Sequence, residues 1–481
     1  MRTALPTANS EAHAHTASPL LPLVVDLDGT LCKTDTLWEC FFSAWQRQWW
    51  LPFALPFWLL SGRSAFKARL AERALPDVTV LPWNAAVLAK IQAHRAVGGR
   101  TILATAANEH VAQACSAQLG VFDEVMASSR TTNLKATAKA DALVARFGQF
   151  GFDYIGDSRA DIPVWAQAAG KFSTSSLLPA GVVAIESSRP SSGAMSRWFR
   201  LLRVRHWVKN ILVFIAPIAA HQWSAIDAWQ ATVLAFAAFC CVCSGIYVFN
   251  DLFDLASDRA HPSKRRRPLA AGELSLSAAL CVAIVLLLGG LALAFAAGQL
   301  VAAVVAIYVI VNAFYTTVLK RIPVFDVFCL AGLYTLRIAA GGAAVSVPIS
   351  TWLVAFSVFA FLSLALLKRS ADLVRLAPDE LLPGRGYSGR DEAFVSTFGV
   401  ASAIAACLVL ALYVSSDQVA SLYREPLALW GVVVVILLWL ARVWRLAMSG
   451  NMDDDPVLFA TRDAVSIGCG IAVVLCVGIA V

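Results

Sequence analysis

Apolar positions are unevenly spread along this chain. Residues 1–200 mix charged, polar and apolar positions as a soluble domain does, whereas long apolar runs dominate from about 207 to 481. Nine runs fall there, at about 208–220, 227–249, 276–297, 299–317, 324–345, 350–367, 394–414, 426–443 and 464–481. Each reads as a membrane helix, the first being short. A soluble α/β domain followed by an all-α membrane bundle of about nine helices is therefore expected. The Ala-, Ser-, Thr- and His-rich residues 1–19 read as a disordered tail, 20–175 as the soluble domain, 176–199 as a Ser-rich linker and 200–481 as the membrane domain.

Composition agrees: 58% of residues are hydrophobic, 15% are charged, and the mean hydropathy is +0.67. The net charge of +7 lies partly beside the apolar runs, so it reads as topology and not as nucleic-acid binding. The first twenty residues hold one Arg and no apolar core, so no secretory signal is expected. With the N-terminus inside, the inner loops hold Arg259, Lys264–Arg267, Lys320, Arg321, Lys368, Arg369, Arg375, Arg385, Arg390, Arg442, Arg445 and Arg462, while the outer loops hold only Arg424. This asymmetry places the soluble domain and the large loops on the cytoplasmic side of the membrane. The eleven cysteines are scattered without a metal-type pair and read as buried free thiols.

Two constellations carry chemistry. The first is an apolar strand, Leu20–Val25, that runs into Asp26-Leu-Asp28-Gly. Carboxylates two apart at a strand end project to the same side, so one can attack phosphorus while the other handles the proton. The second is Asn250–Pro268, which emerges directly from an apolar run. Asp251, Asp254 and Asp258 are spaced i, i+3, i+7, one face of a helix, and Lys264, Arg265, Arg266 and Arg267 follow. Such a carboxylate face suits Mg²⁺ shared with a substrate's phosphates.

Residues 20–175 resemble the haloacid dehalogenase (HAD) phosphatases. Asp26-Leu-Asp28-Gly-Thr resembles the first motif, and Thr101–Asn108 the second, which implies that Thr105 holds a phosphate oxygen. Asn133–Leu143 resembles the third, with Lys139 preferred over Lys135 as the phosphate lysine. Gly156-Asp157 to Asp161 resembles the fourth, which implies that Asp157 and Asp161 help Asp26 and Asp28 hold Mg²⁺. The insert at about 34–95 is then the cap. Its aromatic residues from Trp38 to Trp58, with Arg47, Arg63, Lys67 and Arg69 nearby, suggest a cap lying on the bilayer; an aromatic cap core is the competing reading.

Residues 200–481 resemble the UbiA-type intramembrane prenyltransferase superfamily through Asn250-Asp251-x-x-Asp254-x-x-x-Asp258, Lys264 and Arg267-Pro268. The inner loop 368–393 lacks a second DxxxD motif and offers Lys368, Arg369, Asp372 and Tyr387 instead. Basic groups with a Tyr and a lone Asp suit phosphates bound without a metal. With the entry run Arg203–Asn210, this is similar to the decaprenyl-phosphate phosphoribosyltransferase branch. The resemblance implies transfer of 5-phosphoribosyl from phosphoribosyl diphosphate (PRPP) to a polyprenyl phosphate. Asp251, Asp254 and Asp258 would hold Mg²⁺, Asn250 would complete the metal or ribose contacts, and Lys264, Arg265 and Arg267 would steady the diphosphate. Lys368, Arg369 and Tyr387 would grip either the ribose 5-phosphate or the lipid phosphate. Lys209 and Asn210, in the entry run, are expected to bind an anionic headgroup, with topology anchoring as the competing reading, and Arg337, inside the fifth run, is expected to face a polar cavity or a structural partner. The phosphatase would then remove the 5-phosphate, giving a polyprenylphosphoryl-ribose for cell-envelope glycans. Prenyl-diphosphate transfer to a quinone-type or other lipid acceptor, with an unrelated or regulatory HAD domain, is the alternative, and a homo-oligomer stays open.

Overall fold

The computed structural model describes residues 20–175, 179–185, 193–221, 225–452 and 455–481. The expected tail 1–19 and much of the expected linker lie outside them. The chain divides into two compact units, one comprising the residues up to Arg197 together with Asp251–Ala278, the other Trp198–Asn250 with Ala279–Val481. The loop that carries the three aspartates thus packs with the N-terminal unit.

The first unit is built on a parallel sheet in the order β3-β2-β1-β4-β5-β6. Its strands are β1 (Leu23–Val25), β2 (Thr101–Asn108), β3 (Glu124–Ser128), β4 (Asp153–Gly156), β5 (Lys171–Ser173) and β6 (Val183–Ala184). The last of these lies within the stretch read as linker. Leu23, Val24 and Val25 are wholly buried because β1 is flanked on both sides, Val24 lying opposite Ile102 and Tyr154. The order reverses at β1, with β2 on one side and β4 on the other. The crevice at the carboxyl ends of these strands is where such sheets bind ligands.

Between β1 and β2 run α1 (Thr36–Arg47), α2 (Leu51–Leu59), α3 (Arg63–Arg73) and α4 (Ala85–Ala96). Asp35 caps α1 by accepting from the Leu37 N–H. The two readings of the aromatic cap are divided between helices. On α1, Phe41 and Phe42 are buried core. On α2 and its flanks, Trp49, Phe53, Phe57 and Leu60 are each more than 70% exposed.

Among the described residues, seven helices are long and apolar enough to cross a membrane: Ile226–Phe253, Leu276–Ala297, Gln299–Thr317, Phe325–Ala344, Thr351–Leu373, Gly389–Val414 and Pro426–Met448. An eighth, Ala464–Ala480, is shorter. The expected first span near 208–220 is instead a 3-10 helix, Val204–Phe214, followed by the one-turn helix Ile215–Ala219. Small residues set the closest packing. A Cβ on Gly399 would lie 2.3 Å from the Trp444 ring, so only glycine lets that indole, which donates to the Ser363 hydroxyl, lie flat there.

Candidate functional site

Three groups of functional side chains emerge. The first lies in a cavity of ≈600 Å³ at the carboxyl ends of β1 and β4. Asp26 follows β1 and Asp157 follows β4, while Asp161 enters from the turn after β4. Carboxylate oxygens of these three lie within 4.8 Å of one another, the one such convergence among the described residues. The donor set fits a divalent cation bound through oxygen. Burial, followed by repulsion from Asp26 and Asp161, pushes the Asp157 carboxyl up to about 7. Gly29 makes the space: its φ is +76°, and a Cβ there would stand 2.2 Å from an Asp157 oxygen.

Lys139, on α6 (Thr137–Phe147), reaches Asp26 at 3.0 Å and Asp161 at 3.5 Å. Burial opposes its charge, but these two carboxylates outweigh that and raise its pKa, so it stays protonated. Both Asp161 oxygens are engaged. Oδ1 accepts from the Tyr154 hydroxyl at 2.7 Å, and Oδ2 accepts from the N–H groups of Asp157 and Ser158, 3.2 Å each. Asp161 therefore braces the Asp157 turn as well as facing the ion site. Asp28 accepts from the Thr36 N–H at 2.7 Å, and burial, then the Asp35 carboxylate, raises its pKa to about 7. A carboxyl balanced near neutrality can both give and take a proton.

Thr105, expected beside the phosphate, is fully buried behind the cavity. Its Oγ1 accepts from the Ala107 N–H at 3.0 Å, and Ala106, Ala107 and Asn108 line the space instead. Sequence reasoning left Lys67 with the membrane-facing cations. It points into the cavity, donating to the Ala106 carbonyl at 2.7 Å and to Asn133 at 3.3 Å. Lys33, Arg63 and Lys135 line the same space.

The second group is the acidic segment. The helix from Ile226 ends at Phe253, and a new one begins at Leu255 with Asp254 at its N-cap, φ −93° and ψ 10°. This break corrects the expectation of three carboxylates on one continuous helix face. Arg267 stands between the outer two, 3.1 Å from Asp251 and 2.6 Å from Asp258. A guanidinium already fills the place of a cation between two buried carboxylates, so the donors fit one. Burial raises the Asp258 pKa, and Arg267 works against the rise. Lys264 and Arg265 are exposed, and Asn250, in the last turn of the long helix, belongs to the other unit.

The third group lies within the second unit. Lys209 and Lys368 converge on one Asp455 oxygen, at 2.6 and 3.4 Å, in a small cavity also lined by Tyr247, Tyr334 and Arg369. Burial opposes the Asp455 charge, yet the two ammonium groups hold its pKa at about 2. Nothing in the local sequence singles out Asp455. Arg369 and Tyr387 meet at Asp326, a fully buried carboxylate, at 2.9 and 2.6 Å, and Arg369 also reaches Asp372 at 3.1 Å. Arg337 has internal partners too: Asn210 at 2.9 Å, the Tyr308 hydroxyl at 2.9 Å and the Leu333 carbonyl at 2.7 Å.

A model of the UbiA prenyltransferase family matches residues 211–465, and one of the haloacid dehalogenase-like hydrolases matches residues 23–165. The uncharacterized protein y4nM of Sinorhizobium fredii is 35% identical over 458 residues, covering 93% of this chain and 88% of that protein. The nodulation protein NoeC of Azorhizobium caulinodans is 38% identical over 272 residues, 56% of this chain and 87% of that one. A decaprenyl-phosphate phosphoribosyltransferase of Corynebacterium glutamicum is 35% identical over 202 residues, 40% of this chain and 60% of that protein.

Proposed function

The chain belongs to the UbiA prenyltransferase family with a haloacid dehalogenase-like domain ahead of it, and from that premise we propose a bifunctional enzyme of the bacterial inner membrane, its phosphatase domain cytoplasmic. It transfers 5-phosphoribosyl from PRPP to a polyprenyl phosphate and then removes the 5-phosphate. The relatives named decaprenyl-phosphate phosphoribosyltransferase support the first reaction.

In the transfer, an oxygen of the lipid phosphate attacks C1 of PRPP and the bond from C1 to the diphosphate breaks. The attacking phosphate is already anionic, so no general base is needed. Arg267, with Lys264 and Arg265, stabilises charge on the departing diphosphate. Lys209 and Lys368 are suited to hold a phosphate, and Asp455 keeps them aligned. Bound Mg²⁺ would supply charge neutralisation at two places, beside Asp251, Asp254 and Asp258 and beside Asp26, Asp157 and Asp161.

In the hydrolysis, Asp26 attacks phosphorus while Asp28 protonates the departing ribose oxygen. Asp28 then takes a proton from the water that cleaves the aspartyl phosphate. Burial raises the Asp26 pKa, and the Lys139 ammonium works against the rise and holds the carboxyl in place. The observation that carries the coupling is the cavity lining. Beyond Lys139 and the carboxylates of Asp26, Asp28, Asp35, Asp157 and Asp161, it holds Lys33, Arg63, Lys67 and Lys135, beside apolar Leu59 and Phe66. A lipid-linked sugar phosphate, with a phosphodiester as well as a phosphomonoester, suits such a space.

The test is stoichiometry. Purified protein given PRPP and a polyprenyl phosphate should release one phosphate for each diphosphate. The second reading, prenyl transfer to another lipid acceptor, is favoured by the wider family's shared acidic segment. It predicts consumption of a prenyl diphosphate with PRPP untouched.

A further inference from the structure

The phosphatase contains a buried ion pair that neither half-reaction uses. Arg259 immediately follows Asp258 on the short helix Leu255–Ala260. Its guanidinium donates from both terminal nitrogens to Glu39, at 2.6 and 3.1 Å, and from Nε to the Ala270 carbonyl at 3.0 Å. Both side chains are about 5% exposed. A bidentate fork of this kind fixes orientation as well as distance.

Glu39 lies in the first turn of α1. Its Oε1 also accepts from the Thr34 hydroxyl at 2.7 Å. The same turn supplies the Thr36 N–H that holds Asp28. A second contact lies farther along α1, where Phe253 packs edge-on against Trp45, ring centroids 4.8 Å apart, and against Phe42 at 6.1 Å. The segment then returns to the cavity, where Leu274, Ser275 and Leu276 form part of the wall. At Gly272, φ +68°, a Cβ would stand 2.7 Å from the Lys33 side chain. The stretch bearing the three aspartates is thus built into the phosphatase at α1 and at the cavity wall.

We propose that Arg259 is a positioning residue of the phosphatase, through which the segment holding Asp251, Asp254 and Asp258 sets the rate of phosphomonoester hydrolysis. Arg267 now bridges Asp251 and Asp258, and a diphosphate bound there with a cation must share or displace that bridge. Asp258 and Arg259 sit on one helical turn, so a shift of the first moves the second. Arg259 then carries the shift through Glu39 to the turn that orients Asp28. An apolar pair could fill this space without the desolvation cost of two charges, so directional linkage is what the ion pair adds. The link to diphosphate rests on the transfer proposed above, and the effect of Arg259 rests only on the proposed hydrolysis.

The experiment uses the full chain in nanodiscs, with p-nitrophenyl phosphate and Mg²⁺. Arg259→Gln should lower kcat by about ten-fold or more with KM within about two-fold, because the acid is misplaced and binding is kept. Arg259→Lys, which keeps the charge and loses the fork, should recover part of kcat. Should the Gln variant fail to fold, the Lys variant decides alone: a melting point near wild type with a reduced kcat supports the proposal. Wild-type kcat in whichever folded variant is measured overturns it. Methylenediphosphonate should change kcat in the wild type and leave Arg259→Lys unaffected; an equal change in both overturns the link. If PRPP proves not to be the donor, PRPP consumption fails while the Arg259 effect on p-nitrophenyl phosphate stands, so the two failures are distinguishable.

Discussion

Arg369 has two carboxylate partners in contrasting surroundings, which makes their removal a sharp comparison. Asp326 is wholly buried and accepts from Arg369 and from the Tyr387 hydroxyl, with Arg385 at 3.9 Å. Asp372 has a side chain 41% exposed and meets Arg369 at 3.1 Å. Asp326→Asn removes the charge that compensates a guanidinium only 4% exposed. Breaking a buried pair from one side costs about 3–5 kcal/mol, because the remaining charge is left desolvated. Asp372→Asn removes a partner that water replaces, at a cost of about 0–1 kcal/mol. Thermal unfolding of the detergent-solubilised variants reads the difference. Asp326→Asn should melt well below wild type, and Asp372→Asn within a degree or two of it. Equal melting of the two variants would refute the assignment of Asp326 as the anchor of Arg369. It would return Arg369 and Tyr387 to the role of free phosphate ligands, in which their loss raises KM and leaves stability intact.

Three further outcomes follow from the geometry. Gly29→Ala should cut phosphomonoesterase kcat by about a hundred-fold, since its Cβ displaces Asp157; activity near wild type at saturating Mg²⁺ would show that Asp157 does not need that place. The Asp455 carboxyl is depressed from 3.8 to about 2, so its contribution is complete above its unfolded value and is lost as pH falls through the folded one. The stability difference between wild type and Asp455→Asn should therefore be flat from neutrality to about pH 5, at about 2 kcal/mol, and shrink only on further acidification. A difference that shrinks between pH 7 and 5 would contradict this. On the cap, Trp49→Phe should remove a component of the tryptophan emission that brominated lipid quenches in nanodiscs; loss of an unquenched component would place α2 away from the bilayer.

The parts legible in the sequence are those whose chemistry is local. Asp26 and Asp28 sit at a strand end, and an apolar run ending in two aspartates announces them without any tertiary knowledge. Asp157 and Lys139 are legible through the resemblance to the HAD motifs. Residues placed by long-range packing were not. Asp455 meets lysines 246 and 87 positions away, and no spacing rule spans that distance. Lys67 looked like a surface cation among aromatic residues, although Arg63 and Lys67 stand i, i+4 on one helix face of the cap, a signal that could have aimed both inward. The spacing of the three aspartates predicts one unbroken helix face, but the helix ends at Phe253 and Asp254 stands at the N-cap of the next one, with no side-chain cap bond. Arg337 stands out by its cost inside an apolar run, but its partners Asn210 and Tyr308 lie in two other elements, and the third, the Leu333 carbonyl, lies one turn back on its own helix. The placement of 251–278 against α1 had no sequence signal beyond the charges of Glu39 and Arg259.

Mass spectrometry of the lipids formed from PRPP and a polyprenyl phosphate tests most directly whether one chain makes a phosphoribosyl lipid and then dephosphorylates it. Wild type should yield polyprenylphosphoryl-ribose, and Asp26→Asn should stop at the species still carrying the 5-phosphate. Accumulation of the same dephosphorylated lipid by both proteins, or of no ribosylated lipid by either, would contradict it.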